Sequence, residues 1–491
     1  MRCLVTGATG YIGGRLVERL LDEGHTVRCM SRNATRLRDA NWAARVEVVE
    51  GDALAAPTLD RAARDVDVVY YLIHSIATGR TFEETDRRAA RNMVVAAEQA
   101  GAQRLIYLGG LAPAHQRLSA HLRSRTEVAE ILLAGAVPTA VLRAAMIIGS
   151  GSASFEMLRY LTERLPVMVC PRWVATRIQP IAVRDVLRYL VGCATLPADV
   201  HRAFDIGGPD VLRYIDMMQR YAAVAGLPRR LIVPVPLLTP RLSALWVNVV
   251  TPVPAKIAKP LVASLVNEVV CSEHDIADHV PDPPEGLVGF DRAVALALAR
   301  IRDATVETRW SGAAWPSAPS DPLPTDPSWA GGSLYVDERE HVVRADRAEL
   351  WRVITGSGGD RGWYSFPLAW AVRGWMDRLG GGVGLRRGRR NPDELRIGEA
   401  LDFWRVEELL EGRMLRLRAE MKLPGLAWLE LSADQTAYGE TVFRQRALFH
   451  PRGLLGHLYW WAIAPFHGIV FGGMARNIAL ASEHRKSTRE H

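Results

Sequence analysis

The sequence predicts a doubly wound parallel α/β fold for residues 1–304 and a separate α+β domain for residues 333–491. Three observations predict this. Short β-rich runs alternate with helical patterns over residues 1–150, as in a parallel sheet covered by helices. A turn with evenly spaced glycines stands directly between the first strand and the first helix. A stretch over 305–332, crowded with Pro316, Pro319, Pro322, Pro324 and Pro327, has linker composition and divides this pattern from a remainder richer in Trp and Arg.

Within the first domain the spacing places strands at residues 2–6, 26–30, 46–49, 67–72, 104–108 and 138–143. Residues 84–100 read as a helix, because Ala89, Ala90, Met93, Val94 and Ala97 recur on one face at helical spacing. Further on, Asp205-Ile206-Gly207-Gly208-Pro209 reads as a strand ending in a turn. The apolar stretch 231–253 carries Pro234, Pro236, Pro240 and Pro252. So many prolines argue against a membrane helix and for loops and short helices of a substrate-facing subdomain. Beyond the linker, a helix is expected at 345–355, strands at 399–406, 414–420, 427–432 and 440–449, and a long apolar helix or helix pair from Leu454.

Composition narrows the function classes. The chain has 491 residues, 48% of them hydrophobic and 23% charged, so it is globular rather than disordered. A net charge of +7, carried mostly by Arg, suits phosphate-bearing ligands. No zinc-finger, RNP or basic-zipper pattern accompanies that charge, and nucleic acid is not an expected partner. Cys3, Cys29, Cys170, Cys193 and Cys271 form no CxxC pair, which argues against a metal site or a disulfide framework. Free thiols in a reducing cytoplasm, and a first strand that begins at Arg2 with no signal peptide ahead of it, are the expectation.

The strongest motif is Thr6-Gly7-Ala8-Thr9-Gly10-Tyr11-Ile12-Gly13-Gly14. Gly7 permits the tight turn, Gly10 lets backbone approach a pyrophosphate, and Gly13 lets the helix pack on the strand. The amides around Thr9, Gly10, Tyr11 and Ile12 then face the anion at a helix N-terminus. The second strand ends in Ser31-Arg32-Asn33 with no acid before Asp39. Arg32, with Ser31 and Arg36, therefore suits the 2′-phosphate of NADP(H) better than the 2′-hydroxyl of NAD(H). Asp52 is placed either to accept from an adenine amino group or to cap the following helix. Leu72, at the end of the fourth strand, completes the cofactor-binding set.

These residues resemble the extended and atypical short-chain dehydrogenase/reductases over residues 1–300. The resemblance implies a Rossmann-type sheet with a C-terminal substrate subdomain. It also implies hydride chemistry by a Ser or Thr after the fifth strand and a Tyr-x-x-x-Lys on the next helix. The sequence departs from that pattern, with Gly109 and Gly110 after the fifth strand and His121-Leu122-Arg123-Ser124-Arg125 on the helix. His121 is the candidate proton carrier, and Arg125 the candidate clamp for a carboxylate or a ribose. His74, in Tyr70-Tyr71-Leu72-Ile73-His74-Ser75, joins them because strand ends face the ligand crevice. Arg143, before Gly149-Ser150-Gly151-Ser152, is a candidate substrate or phosphate ligand. Motifs at His121–Arg125, Gly149–Met157 and Gln179–Ala182 are similar to a subgroup of NAD(P)-binding oxidoreductases of unassigned substrate.

Residues 333–491 resemble a domain of unknown function that follows this subgroup, through Gly362-Trp363-Tyr364, Asp377-Arg378-Leu379, Gly388-Arg389-Arg390 and Asp402-Phe403-Trp404-Arg405-Val406. That domain looks like the START or polyketide-cyclase helix-grip type, which encloses apolar cavities. Residues 453–475 carry no formal charge and are long enough to span a bilayer of roughly 30 Å, but Pro465 and five glycines favour a closing helix over the cavity. The first expectation is an NADP(H)-dependent oxidoreductase acting on a small or lipid-like organic substrate. The alternative is a non-catalytic NADP(H)-binding sensor of the NmrA-like kind, and a sugar-nucleotide epimerase is disfavoured by the missing Tyr and Lys. Further expected partners are a second copy of the chain and a membrane surface touched peripherally through 453–475.

Overall fold

The computed structural model describes residues 1–38, 40–75, 82–113, 118–235, 250–251, 253–304, 332–358, 363, 395–436 and 439–489. Nearly all of the proline-rich stretch 305–332 lies outside these, as do Pro236, Pro240, Pro252, Trp370, Trp375 and the run Arg386-Arg387-Gly388-Arg389-Arg390. The chain divides into two compact units, Met1–Gly332 and Ser333–His491.

The first unit alternates strand and helix: β1 Arg2–Thr6, α1 Tyr11–Asp22, β2 Thr26–Ser31, β3 Glu47–Glu50, α2 Ala56–Ala63, β4 Val68–Tyr71, α3 Phe82–Gln99, β5 Arg104–Gly110, α4 Ala120–Leu133 and β6 Thr139–Ala144. It continues through β7 Met146–Ile148, α5 Ala153–Arg164, β8 Val167–Pro171, β9 Arg177–Ile178, β10 Pro180–Ala182, α6 Val183–Gly192, β11 Arg202–Ile206, β12 Leu212–Arg213, α7 Tyr214–Val224, β13 Leu231–Val235, α8 Ala255–Ser264 and α9 Phe290–Ala304. Seven of these strands form one parallel sheet in the order β11-β6-β5-β4-β1-β2-β3. The chain winds outward to both sides of β1, so the crevice at the carboxyl ends of β1 and β4 is the switch point where such sheets bind ligands.

Alternation of strand side chains gives the sheet two apolar faces. Leu16, Val17, Leu20, Val186 and Leu190 of α1 and α6 cover one of them. Ala89, Ala90, Met93 and Ala97 of α3, with Val128 and Leu132 of α4, cover the other. The subdomain has its own core around Phe155, Leu158, Met217, Tyr221 and Val294. In it Glu156 and Arg159, both fully buried, pair at 3.0 Å, and Glu156 also accepts from the Gly151 amide at 2.9 Å. The Gly149–Ser152 turn is thereby pinned to α5.

The first six strands lie where the sequence places them, to within a residue or two at each end. The stretch expected as loops and short helices begins instead as β13, parallel to β8 in a two-stranded sheet. Pro234 is tolerated there because an edge strand can leave the place of its missing N–H unpaired.

The second unit comprises β14 Tyr335–Val343, α10 Arg347–Thr355, β15 Ala400–Leu401, β16 Trp404–Leu410, β17 Met414–Ala419, β18 Gly425–Gln435, β19 Thr441–Pro451 and α11 Gly453–Arg489. Its strands form an antiparallel sheet in the order β14-β19-β18-β17-β16-β15. One face packs Leu415, Leu417, Leu429, Leu431 and Phe443 against Leu350 and Ile354 of α10 and Met474 and Ile478 of α11. The strand expected at 399–406 is two, broken at Asp402, whose φ of 56° is left-handed; its Oδ2 accepts from Trp363 Nε1 at 2.8 Å. The sequence reading places no strand at β14.

On the other face the residues opposite one another across five strands alternate in charge: Glu408, Arg416, Glu430, Arg446 and Glu338. Arg416 pairs with Glu408 and, at 2.8 Å, with Glu430; Arg446 reaches Glu430 at 3.2 Å and Glu338 at 3.7 Å. Arg416 is 2% exposed and is shared by both carboxylates, so removing it would take this partner from Glu408 and leave the buried Glu430 with Arg446 alone. Arg416→Ala is expected to destabilise this unit by about 3–5 kcal/mol. Arg444→Ala, which breaks exposed pairs with Glu338 and Glu340, should cost about 1 kcal/mol or less. Urea unfolding followed by tryptophan fluorescence measures both; equal losses would show that the row carries no special weight.

Candidate functional site

The glycine turn is built by close contacts that exclude side chains. Gly7 has φ +78°, and a Cβ on it would lie 2.7 Å from the Leu72 carbonyl oxygen. A Cβ on Gly13 would lie 2.2 Å from the Gly7 oxygen, so only hydrogen fits where α1 crosses the turn. The Gly10 amide donates to Gly7 O at 2.8 Å. Gly10 is the residue before α1, its conformation is extended, and no side chain caps the helix. Nor does the first turn of α1 hold an acidic residue. The helix thus turns its positive end, without a side-chain cap, to the crevice, with Thr9, Tyr11 and Ile12 partly exposed around it. This is a cradle that a Cβ would fill, and it fits a dinucleotide diphosphate.

Other cofactor candidates cluster around it. The Leu72 amide takes a hydrogen bond to Thr6 Oγ1 at 3.3 Å, which holds the end of β4 against the turn. Ser31 Oγ donates to Asn33 O at 2.9 Å, and Asn33 Oδ1 accepts from the Thr35 amide. Arg32, between them, is exposed and makes no hydrogen bond or ion pair among the described residues. Asp52 Oδ1 accepts from the Leu54 amide at 3.0 Å, a local turn of the capping kind, while its Oδ2 is not so engaged.

Two features here were not read from the sequence. Arg15 is buried, donates to Tyr11 O at 3.0 Å and lies 4.2 Å from the Tyr11 ring centre. A Cβ on Gly149 would fall 2.2 Å from the Tyr11 hydroxyl, so the turn after β7 closes directly on the cofactor turn. A glycine ahead of Ser150 was the visible sign of this contact. Arg143, one-third exposed, pairs with the buried Asp205 at 2.6 Å, and Asp205 also accepts from the Ser272 amide and hydroxyl. Gln179 is engaged internally, donating to Gly208 O and accepting from the Cys271 amide, both at 2.9 Å.

At the carboxyl ends of β4 and β5 the fold brings together His74, His121 and Arg125. His121 and Arg125 are one turn apart on α4, which Ser119 caps by accepting from the Leu122 amide at 3.3 Å. Arg125 Nη1 donates to the Tyr107 hydroxyl at 3.2 Å and approaches Leu108 O at 3.5 Å. His74 is exposed, and desolvation of its ring by neighbouring protein, followed by the charge of Arg125, lowers its pKa. Burial, then Arg125 and His74, pushes His121 down to about 3. Both imidazoles are therefore neutral at pH 7. Burial raises the Tyr107 phenol, against the pull of Arg125, so that it too stays protonated.

Asp86 of α3, 5% exposed, ties this cluster together. Its Oδ1 accepts from the Ser75 amide at 2.8 Å, fixing the His74 loop, and its Oδ2 accepts from Ser124 Oγ at 3.1 Å, fixing α4. The signal for it was a carboxylate on the same helical face as Ala89, Ala90 and Met93. A Cβ on Gly110 would stand 3.3 Å from Leu122 Cδ2 and, in ordinary contact, 3.6 Å from Arg125 Cγ, so the stem of Arg125 lies beside Gly110.

Residues 7–145 match the NAD(P)H-binding family, and residues 329–474 match a family described as protein of unknown function, DUF2867. Among curated relatives, a ceramide reductase of Caulobacter vibrioides is 29% identical over 241 residues, covering 46% of this chain and 72% of its own length. A (4-alkanoyl-5-oxo-2,5-dihydrofuran-3-yl)methyl phosphate reductase of Streptomyces griseus is 29% identical over 234 residues, covering 46% and 75%. Among solved structures, the triphenylmethane reductase of Citrobacter sp. superposes with a TM-score of 0.49 and 19% identity, covering 61% of this chain and all of that one. The chain therefore joins an NAD(P)-binding Rossmann domain of the NAD-dependent epimerase and reductase type to a C-terminal DUF2867 domain.

Proposed function

We propose that the protein is an NADP(H)-dependent oxidoreductase that reduces a small or lipid-like organic substrate by hydride transfer. The observation that carries this reading is the convergence of His74, His121 and Arg125 beside the crevice that the glycine turn opens. NADP(H) is preferred to NAD(H) because Arg32 stands exposed and without a partner among the described residues, with Ser31 beside it and no acid at the end of β2. Two relatives are reductases by name, one for a ceramide and one for an alkanoyl-bearing phosphate, and they support a substrate with an apolar chain.

A bound nicotinamide supplies the hydride. The chain's part is to orient the acceptor carbonyl and manage its oxygen. A neutral imidazole of His121 or His74 hydrogen-bonds to that oxygen through its N–H, the fixed charge of Arg125 favours the negative charge that develops there, and the resulting alkoxide takes its proton from water. Asp86 is a positioning residue, since it holds both the His74 loop and α4. For residues 333–491 we propose a START-like helix-grip arrangement, in which the curved sheet packs on α11. Five unpaired thiols, four of them buried, favour a reducing cytoplasm.

A second reading, a non-catalytic NADP(H) sensor, is favoured by Gly109 and Gly110 in place of a hydroxyl and by the engagement of Arg125 with Tyr107 and Leu108.

Oxidation of NADPH by the purified protein with a panel of ketones, enones and quinones separates the two. Turnover that falls about 100-fold in His121→Asn, with cofactor affinity unchanged, is expected; saturable cofactor binding without turnover on any acceptor would select the sensor. Because His121 stays neutral down to about 3, its protonation should leave kcat/KM flat from about pH 5 to pH 8. An inflection between about pH 6 and pH 7 that disappears in His121→Asn would refute the neutral donor. Arg32→Asp is expected to shift preference from NADPH toward NADH by about tenfold or more. Unchanged affinity for both nucleotides would remove Arg32 from the phosphate site.

A further inference from the structure

The first half of α11 carries an apolar face that the unit does not cover. Leu454, Leu455, Leu458, Trp461, Ala462, Pro465 and Phe466 are all exposed. At about 100° per residue they fall within an arc of about 140°, running some 18 Å along the axis. The five large ones are not grazing contacts: Leu455 is 72% exposed, Trp461 67%, Phe466 62%, Leu458 55% and Leu454 39%.

The opposite face of the same helix is fastened, so rotation cannot hide the stripe. A Cβ on Gly456 would lie 2.4 Å from the Pro424 carbonyl oxygen. His457 Nδ1 is bonded to the Tyr335 hydroxyl at 2.9 Å. The Trp460 ring is stacked 5.0 Å from Tyr335 and 5.9 Å from Phe449. No single described helix is long and apolar enough to cross a membrane; the two segments of α11, Gly453–Gly468 and Val470–Glu483, reach that length and composition only together and across a bend of 40°. A helix with one face fixed to protein and the other apolar and open has the form of an in-plane interfacial element rather than a span.

Charge selects the occupant. From Thr441 to Ser482 the chain has no Asp or Glu, while Arg452 and Arg476, both exposed, stand before and after the stripe. A second copy of the stripe would meet the leucines but would offer these arginines only like charge. An anionic bilayer surface meets both, with the aromatic side chains of Trp461 and Phe466 at the headgroup boundary. We infer that α11 docks the protein on an anionic lipid surface, a role independent of the reductase reading.

The test is co-sedimentation of the full chain with vesicles of phosphatidylcholine plus phosphatidylglycerol, and with vesicles of phosphatidylcholine alone. The wild type is expected to bind the anionic vesicles. Arg452→Ala should weaken that binding about fivefold, and the double variant Leu458→Glu, Trp461→Glu should weaken it at least about tenfold. The milder Leu455→Ser guards against misfolding, and unchanged melting temperatures identify a folded variant. Three results overturn the inference: no sedimentation with either vesicle, equal binding to both compositions, or equal binding by the double variant. So does a wild type that is dimeric without lipid while the double variant is monomeric, since the stripe is then a self-interface.

Discussion

Everything in the first unit is arranged around one short distance, the 2.2 Å that would separate a Cβ on Gly13 from the carbonyl oxygen of Gly7. Because hydrogen replaces that Cβ, α1 can lie directly across the turn that follows β1. The helix then begins without a side-chain cap, its positive end toward the crevice. The same approach sends Tyr11 across to Gly149, and Glu156 holds that second turn from beneath by taking the Gly151 amide. A Rossmann sheet built without this contact would still fold its strands, but its helix dipole would point at protein instead of at an anion.

The chemistry-bearing end of the sheet obeys a second constraint. Arg125 passes Gly110 in ordinary contact through its Cβ and Cγ, and its guanidinium is bonded inward, to the Tyr107 hydroxyl and Leu108 O. Asp86 makes the arrangement rigid by holding both the loop and the helix with one carboxylate.

Much of this was legible in the sequence because it is written in local patterns. The glycine spacing, the six strand runs and the apolar face of α3 depend on neighbours within a few residues. His74 was singled out by its place after a strand end, and His121 and Arg125 by their alignment with the Tyr-x-x-x-Lys of the family pattern. Asp86 was not, because a lone acid near a helix start resembles an ordinary favourable charge; only its register with Ala89 and Met93 marks it as buried. Strand β14 was missed because Asp337, Glu338, Arg339 and Glu340 hide its alternation, which is of partly buried against exposed charges on a sheet edge. The pairings of β7 with β10 and of β8 with β13 join short runs far apart in the chain, and no local signal announces them.

The alternating row of Glu and Arg across the second sheet also acts as a key for alignment. A slip of one residue between β17 and β18 would turn Arg416 toward the leucine core, and a slip of two would set it beside Trp428 or Ser432. Either leaves an ion in a dry place without its counterion, a penalty of several kcal/mol. Hydrophobic strands are forgiving of such slips by themselves, since one leucine replaces another. The charges make the correct pairing discrete, so a chain that collapses out of alignment has no shallow minimum in which to rest.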